Sequence, residues 1–232
     1  MENAIIMASG LGSRMRPLTD KTPKPLIKVH GTPMIETVIE ALKTRKSVDK
    51  IIVVVGYLGE QFNYLKEKYT NIEIVNNPFF ETINNISSIY VARHFLKEDK
   101  PCFLCEADLY ISNAEIFNKE LSHSSYYGCK IEGHSDDWGF DLDKNGRITR
   151  IGKYIDDTYM MVGIAWFDGK DSNTLASCIE NQWHKDGYQD MFWDNVANLN
   201  LDILDLHVSP VKSSQIIEID TVTELEEINS QY

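Results

Sequence analysis

Short apolar runs alternate with helical patterns through the first half of the chain. Ala4–Ala8 (AIIMA), Ile51–Val55 (IIVVV) and Phe103–Ala107 are apolar stretches of strand length, and Ile72–Val75 is a shorter one. Continuous runs of this kind suit strands covered on both faces. Pro33–Lys43 predicts a helix opened by proline at its first turn, with Met34, Val38, Ile39 and Leu42 on one face. Leu58–Tyr69 and Asn85–Leu96 predict two more helices, and Ser9–Thr22 a glycine-containing loop after the first strand. Strand–helix–strand repetition implies right-handed crossovers and a mostly parallel, doubly wound α/β sheet.

The pattern changes in the second half. Asn145-Gly146 lies between alternating residues in Asp141–Ile151, a hairpin signal. Asp171–Trp183 and Gln189–Asn198 read as helices, Leu204–Val208 as a strand and Val222–Ile228 as a closing helix. All four tryptophans fall between Trp138 and Trp193. With no internal repeat or linker, residues 1–232 predict a single domain: a core over 1–125 and a smaller β/α elaboration over 126–232.

Composition narrows the function classes. The net charge of −12 argues against a nucleic-acid binder, which would gain affinity by neutralising phosphates. The charge is unevenly placed, since residues 1–30 carry +3 and the remainder −15. A basic first segment suits an anionic ligand, and an acidic remainder suits a metal, a cationic group or solubility alone. No apolar run reaches the roughly 18–20 residues of a membrane span, and the short N-terminal run after Glu2 is a poor signal peptide, so the expected compartment is the cytoplasm. Cys102 and Cys105 form a C-x-x-C, but they sit inside an apolar strand-like run with no partner pair, which favours buried thiols over a zinc site.

The first strand runs into Ala8-Ser9-Gly10-Leu11-Gly12-Ser13-Arg14, followed by Pro17-Leu18-Thr19 and Pro23-Lys24-Pro25-Leu26. Two glycines at this spacing let the backbone turn sharply and present N–H groups to phosphate oxygens, where Arg14 and Lys24 add charge. The segment is neither a Walker loop nor a dinucleotide fingerprint. As a joint pattern, G-x-G-[ST]-R-x-x-P-L-T followed by P-K-P-L, it resembles the nucleotidyltransferases of sugar-phosphates and choline-phosphate, closest to the choline-phosphate and 2-aminoethylphosphonate cytidylyltransferases of bacteria. That resemblance runs over essentially the whole chain. It implies a Rossmann-like core in which Ala8, Gly10, Leu11, Gly12, Ser13 and Arg14 wrap the triphosphate and Lys24 contacts it during transfer. Arg16, Lys21 and Lys28 read as a solvated basic face.

The resemblance also implies Mg²⁺, held by an aspartate at the end of the fourth apolar strand and by another near the C-terminus. Asp108 and Asp220 match these positions, and Glu106 replaces the first acid of the family's D-x-D. Strand capping by Asp108 and helix capping by Asp220 are the plainer alternatives. With Arg14 and Lys24, the two aspartates complete the expected catalytic set.

On the acceptor side, Asn84-Asn85-Ile86-Ser87-Ser88 resembles an N-N-x-x-S element near the base, and Gly56-Tyr57 is shared with the same enzymes. Asn85, Ser87, Tyr57 and Glu106 are therefore expected at the nucleotide, although Asn85 or Ser87 serves equally as a helix cap. Asp190-Met191-Phe192-Trp193-Asp194-Asn195 resembles the family's D-x-x-W-D-N stretch, and on one helix Asp190, Trp193 and Asp194 would share a face. An aromatic face beside carboxylates suits a cationic head group. Trp138, Lys153 and Glu218 complete the expected acceptor set; core packing of the tryptophans and surface exposure of Lys153 are the alternatives. The sequence thus predicts a Mg²⁺-dependent enzyme that moves CMP from CTP to phosphocholine or 2-aminoethylphosphonate, with no nucleic-acid or membrane partner. The slight preference is for the primary amine, because Asp136 and Asp137 precede Trp138 and Gly139 follows it. A homodimer or a fused enzyme domain is compatible with the chain. Competing readings are a sugar-1-phosphate nucleotidyltransferase using dTTP, UTP or GTP, and a catalytically silent ligand-sensing relative.

Overall fold

The computed structural model describes residues 1–230, so the last two residues of the expected domain lie outside the described residues. The first half runs β1 (Glu2–Ala8), a small hairpin of β2 (Lys28–Val29) and β3 (Thr32–Pro33), α1 (Met34–Thr44), β4 (Val48–Val55), α2 (Tyr64–Lys68), β5 (Ile72–Asn76), α3 (Ile86–Leu96) and β6 (Cys102–Glu106). Then follow β7 (Leu109–Ile111), β8 (Ser124–Lys130), β9 (His134–Leu142), β10 (Ile148–Asp156), β11 (Tyr159–Phe167), α4 (Gly169–Gln182), α5 (Trp193–Asn198), β12 (Leu206–Val211), β13 (Ile216–Glu218) and α6 (Val222–Ser230).

Strands β5, β4, β1 and β6 are parallel neighbours, the doubly wound core that the apolar runs predict. Their side chains alternate between two cores. Ala4, Ile6, Ala8, Ile51, Val53 and Val55 pack on the face with α1 and α2, while Ile5, Ile52 and Val54 pack against α3, α4 and α5. Beyond β6 the sheet turns antiparallel through β11, which pairs with β9 and β8, and β12 lies parallel to β8. The central sheet is therefore mostly parallel, with an antiparallel extension on one side. The hairpin expected around Asn145-Gly146 is present but longer, spanning β9 and β10, and Asp143 Oδ1 accepts from the turn's Asn145 and Arg147 N–H groups at 2.8 and 3.0 Å.

Two expected helices are corrected. Leu58–Tyr69 is not continuous: Leu58 takes φ +48°, a tight turn covers Gly59–Phe62, and α2 is only Tyr64–Lys68. Gln189–Asn198 is also broken, with a turn at Tyr188–Asp190 and α5 starting at Trp193. The break is fixed by capping, since Asn195 Oδ1 accepts from Phe192 N at 2.8 Å and Asn85 Oδ1 from Trp193 N at 3.0 Å.

A third apolar cluster joins the two ends of the chain. Met15, Ile27, Val29 and Met34 pack with Ile219, Leu225 and Ile228. The glycine loop and α6 are therefore held together by burial, which places the C-terminal acids beside the loop.

Candidate active site

The loop after β1 reaches the C-terminal edge of the parallel strands, where open α/β sheets hold ligands. Gly12 has φ +62°, and a Cβ there would lie 2.8 Å from Lys24 Cβ and 3.1 Å from Thr19 Cγ2. Both the backbone angle and the approach of Lys24 thus require glycine. Thr19 Oγ1 donates to the Gly12 carbonyl at 2.9 Å and fastens the turn. Gly12→Ala is expected to cost about 1–3 kcal/mol of stability and to shift Lys24, lowering kcat. Thermal unfolding with steady-state kinetics checks both.

Lys24 is buried between two carboxylates. Its Nζ donates to Asp108 Oδ2 at 2.5 Å and to Asp220 Oδ1 at 2.6 Å, and Arg14 Nη2 donates to the same Asp220 oxygen at 2.7 Å. Burial works against the charged ammonium, but the two carboxylates outweigh it and hold the Lys24 pKa above its ordinary value. Residues 84 and more positions apart converge here because β13 pairs with β7 directly after Asp108, and Ile219 N donates to the Asp108 carbonyl at 3.1 Å.

Helix capping does not occupy Asp220. Thr221 Oγ1 accepts from Glu224 N at 3.2 Å, and Glu224 Oε2 accepts from the N–H groups of Asp220 and Thr221 at 2.8 Å. This capping box leaves the Asp220 carboxylate facing Lys24.

Glu106, Asp108 and Glu218 each bring a carboxylate oxygen within 4.8 Å of the others. Burial, then Asp108, Glu218 and Asp194, push the Glu106 pKa well up, with Lys24 opposing. Burial, then Asp108 and Asp220, push Glu218 up to about 7. Glu106 fits because Gly163 stands opposite: a Cβ there would lie 3.0 Å from Glu106 Oε2. Such crowding of hard oxygen donors is only partly offset by Lys24, and it suits a divalent cation.

These groups line a cavity of about 840 Å³, together with Ala8, Gly10, Ser13, Asn85, Ser87, Trp138, Lys153 and Asp194. Lys153 lies directly opposite Trp138 across β9 and β10. Asp194 is only 5% exposed, and Tyr126 Oη donates to its Oδ1 at 3.1 Å. Burial pushes the Asp194 carboxyl up to about 7, against the pull of the tyrosine hydrogen bond.

Four expected site residues stand elsewhere. Tyr57 is outside the cavity lining, its hydroxyl donating to the carbonyls of Thr19 and Asp20 at 3.0 and 3.2 Å, so it braces the loop. Leu11 is exposed and also outside the lining. Asp190 belongs to the turn before α5, where its carbonyl accepts from Asn84 Nδ2 at 3.3 Å. Trp193 is a core residue, 4% exposed and stacked on Tyr126 at 5.5 Å. Because α5 begins one residue after Phe192, that side chain takes the cavity position instead, with its ring 5.5 Å from Trp138. Ser87 touches the cavity but is committed locally, donating to Asn84 O at 2.8 Å and accepting from Asn77 Nδ2 at 2.9 Å. Asn77, wholly buried and also 3.3 Å from Ser9 Oγ, was not legible in sequence because a polar residue after a short strand reads as a turn.

Residues 3–132 match the family described as Nucleotidyl transferase. The chain belongs to that family. It is 51% identical over 230 residues to the 2-aminoethylphosphonate cytidylyltransferase of Lancefieldella rimae, covering 99% of this chain and 93% of that protein. It is 34% identical to the choline-phosphate cytidylyltransferase of Streptococcus pneumoniae, over 97% of both. The structure of the CTP:phosphocholine cytidylyltransferase from Streptococcus pneumoniae superposes with a TM-score of 0.88 at 32% identity, covering 99% of this chain and 98% of that one. The nucleotidyltransferase is thus close to cytidylyltransferases along its length, and this family generally uses a divalent metal. No helix among the described residues is long and apolar enough to cross a membrane.

Proposed function

We propose that this enzyme transfers CMP from CTP to 2-aminoethylphosphonate, with Mg²⁺ and release of pyrophosphate. The observation that carries the acceptor assignment is Asp194, a buried carboxylate on the cavity wall whose ionisation is opposed by its surroundings. A primary ammonium offers three N–H donors and neutralises such a group, whereas a quaternary ammonium offers none and is held by aromatic faces. Trp138 and Phe192 supply an aromatic wall of two rings, and Asp137 and Asp194 line the same cavity. The 51% identity to the Lancefieldella rimae enzyme favours the same acceptor.

In this reading residues 1–125 hold the nucleotide, and the following half forms most of the acceptor side. The backbone N–H groups at Gly10, Gly12 and Ser13, with Arg14, receive the triphosphate. Lys24 leaves its carboxylate partners for phosphate oxygens when nucleotide enters, and Asn85 faces the nucleoside. Lys153 pairs with the phosphonate while Asp194, Trp138 and Phe192 seat the ammonium. A phosphonate oxygen attacks the α-phosphorus in line as the bond to the bridging oxygen of pyrophosphate breaks; no covalent protein intermediate is involved. Asp108 and Asp220 would hold the Mg²⁺, with Glu106 and Glu218 beside them, and the ion would neutralise charge on the phosphates.

A panel of four NTPs against 2-aminoethylphosphonate, phosphocholine and hexose 1-phosphates, read by pyrophosphate release, tests the assignment. Turnover is expected with CTP and 2-aminoethylphosphonate. Faster turnover of a hexose 1-phosphate with dTTP, UTP or GTP would replace this reading with the sugar-type alternative, and no turnover at all with the silent one.

The raised Asp194 pKa has a thermodynamic consequence. The folded protein holds this proton from the ordinary carboxylate range up to about pH 7, while the unfolded chain releases it near 3.8. Stability from this group therefore falls as pH rises through that window and levels off above it. Denaturant unfolding between pH 5 and 8 is expected to show a shallower decline for Asp194→Asn than for the wild type.

A further inference from the structure

The far end of the sheet extension, away from the glycine loop, gathers three metal-ligating side chains. β12 lies parallel to β8 with Leu206 opposite Ser124 and His207 opposite Ser125. One residue earlier on each chain, Asp205 and His123 continue this register, and the alternation of side chains puts Asp205 and His207 on one face. His123 Nδ1 lies 3.4 Å from Asp205 Oδ2, His207 Nε2 lies 3.3 Å from Asp205 Oδ1, and all three donor atoms fall within 4.8 Å of one another. The two imidazole rings are 4.3 Å apart and tilted by 30°.

These separations exceed the usual 2.7–3.2 Å of N–H···O hydrogen bonds. Two imidazoles and one carboxylate, each with a donor atom within 4.8 Å of the others, form a set that modest side-chain rotation can bring to the bonds of about 2.0–2.1 Å of a zinc-class ion. We propose that His123, Asp205 and His207 form a surface site for a divalent transition ion of the zinc class, with water in the fourth position. Two imidazoles and one carboxylate select such an ion over Mg²⁺, which prefers oxygen. Arg147 steadies the carboxylate. Its Nε lies 3.2 Å from Asp205 Oδ1, and its guanidinium is anchored on the carbonyls of Leu201 and Leu204. The arginine orients Asp205 from outside the ligand set, and its positive charge moderates the affinity. Bound there, the ion ties the start of β12 to the start of β8. The acidic groups around Asp108 form a separate, oxygen-only set, so the two sites differ in the metal they prefer.

Isothermal titration of the whole protein with Zn²⁺, in millimolar Mg²⁺ to fill oxygen sites, tests this. One equivalent is expected to bind, with affinity reduced roughly tenfold or more by either His123→Gln or His207→Gln and unchanged by Asp108→Asn. The substituted side chains are half to three-quarters covered at most, and Asp205→Asn supplies a further variant that removes only the anionic ligand. Unchanged Zn²⁺ affinity in the double histidine variant, loss of binding in Asp108→Asn instead, or no saturable binding by the wild type would overturn the proposal.

Discussion

Replacing Lys24 by methionine is expected to lower kcat by about 10²–10³-fold, the scale seen when one preorganised charge or donor is removed from a developing anionic centre. The free protein gives the reason. Lys24 sits 2.5 and 2.6 Å from Asp108 and Asp220, so its ammonium is positioned between the two expected metal ligands and beside the glycine loop. Methionine keeps the length and the burial but leaves two carboxylates facing each other without that charge. The same variant should therefore bind Mn²⁺ more tightly than the wild type in the absence of nucleotide, because no internal cation competes. Steady-state kinetics and metal titration together separate this from misfolding. A variant that lost both turnover and metal binding would point to general damage at the site.

The second large effect concerns the acceptor. Asp194→Asn is expected to lower kcat/KM for 2-aminoethylphosphonate by roughly 30-fold to several thousand-fold, the equivalent of about 2–5 kcal/mol for removing one partner of a buried charge pair. The KM for CTP should change little, since Asp194 is proposed to seat the acceptor's ammonium and not the nucleotide. Above pH 7 the variant should also be more stable than the wild type, because an uncompensated buried carboxylate is removed. Lower activity with higher stability is a signature that loss of structure cannot produce.

The contrast between legible and hidden features follows from the range of the interactions that set them. The parallel core was legible because Ala4–Ala8, Ile51–Val55 and Phe103–Ala107 are apolar over their whole length, a local signal. The sharp turn after β1 was legible because its glycines lie close together in sequence. β8 was not, since residues such as Ser124, Ser125 and Gly128 carry weak strand signals and pair only through contacts distant in sequence. The aromatic wall was off by one residue. A helix drawn through Asp190–Asp194 turns Trp193 toward the acceptor, but side-chain caps from Asn85 and Asn195 start α5 later and turn it into the core, stacked on Tyr126. Capping by a residue more than a hundred positions away leaves no local trace. Asp220 shows the opposite case, because its neighbours Thr221 and Glu224 spell a capping box that frees it from that duty.

The acceptor is tested most directly by offering the wild-type enzyme CTP and Mg²⁺ with equal concentrations of 2-aminoethylphosphonate and phosphocholine, and resolving the two cytidylylated products by ³¹P NMR. The product ratio equals the ratio of kcat/KM values, and the mixed anhydride of CMP with the aminophosphonate is expected to dominate. Predominance of CDP-choline would contradict the assignment of Asp194 to a primary ammonium.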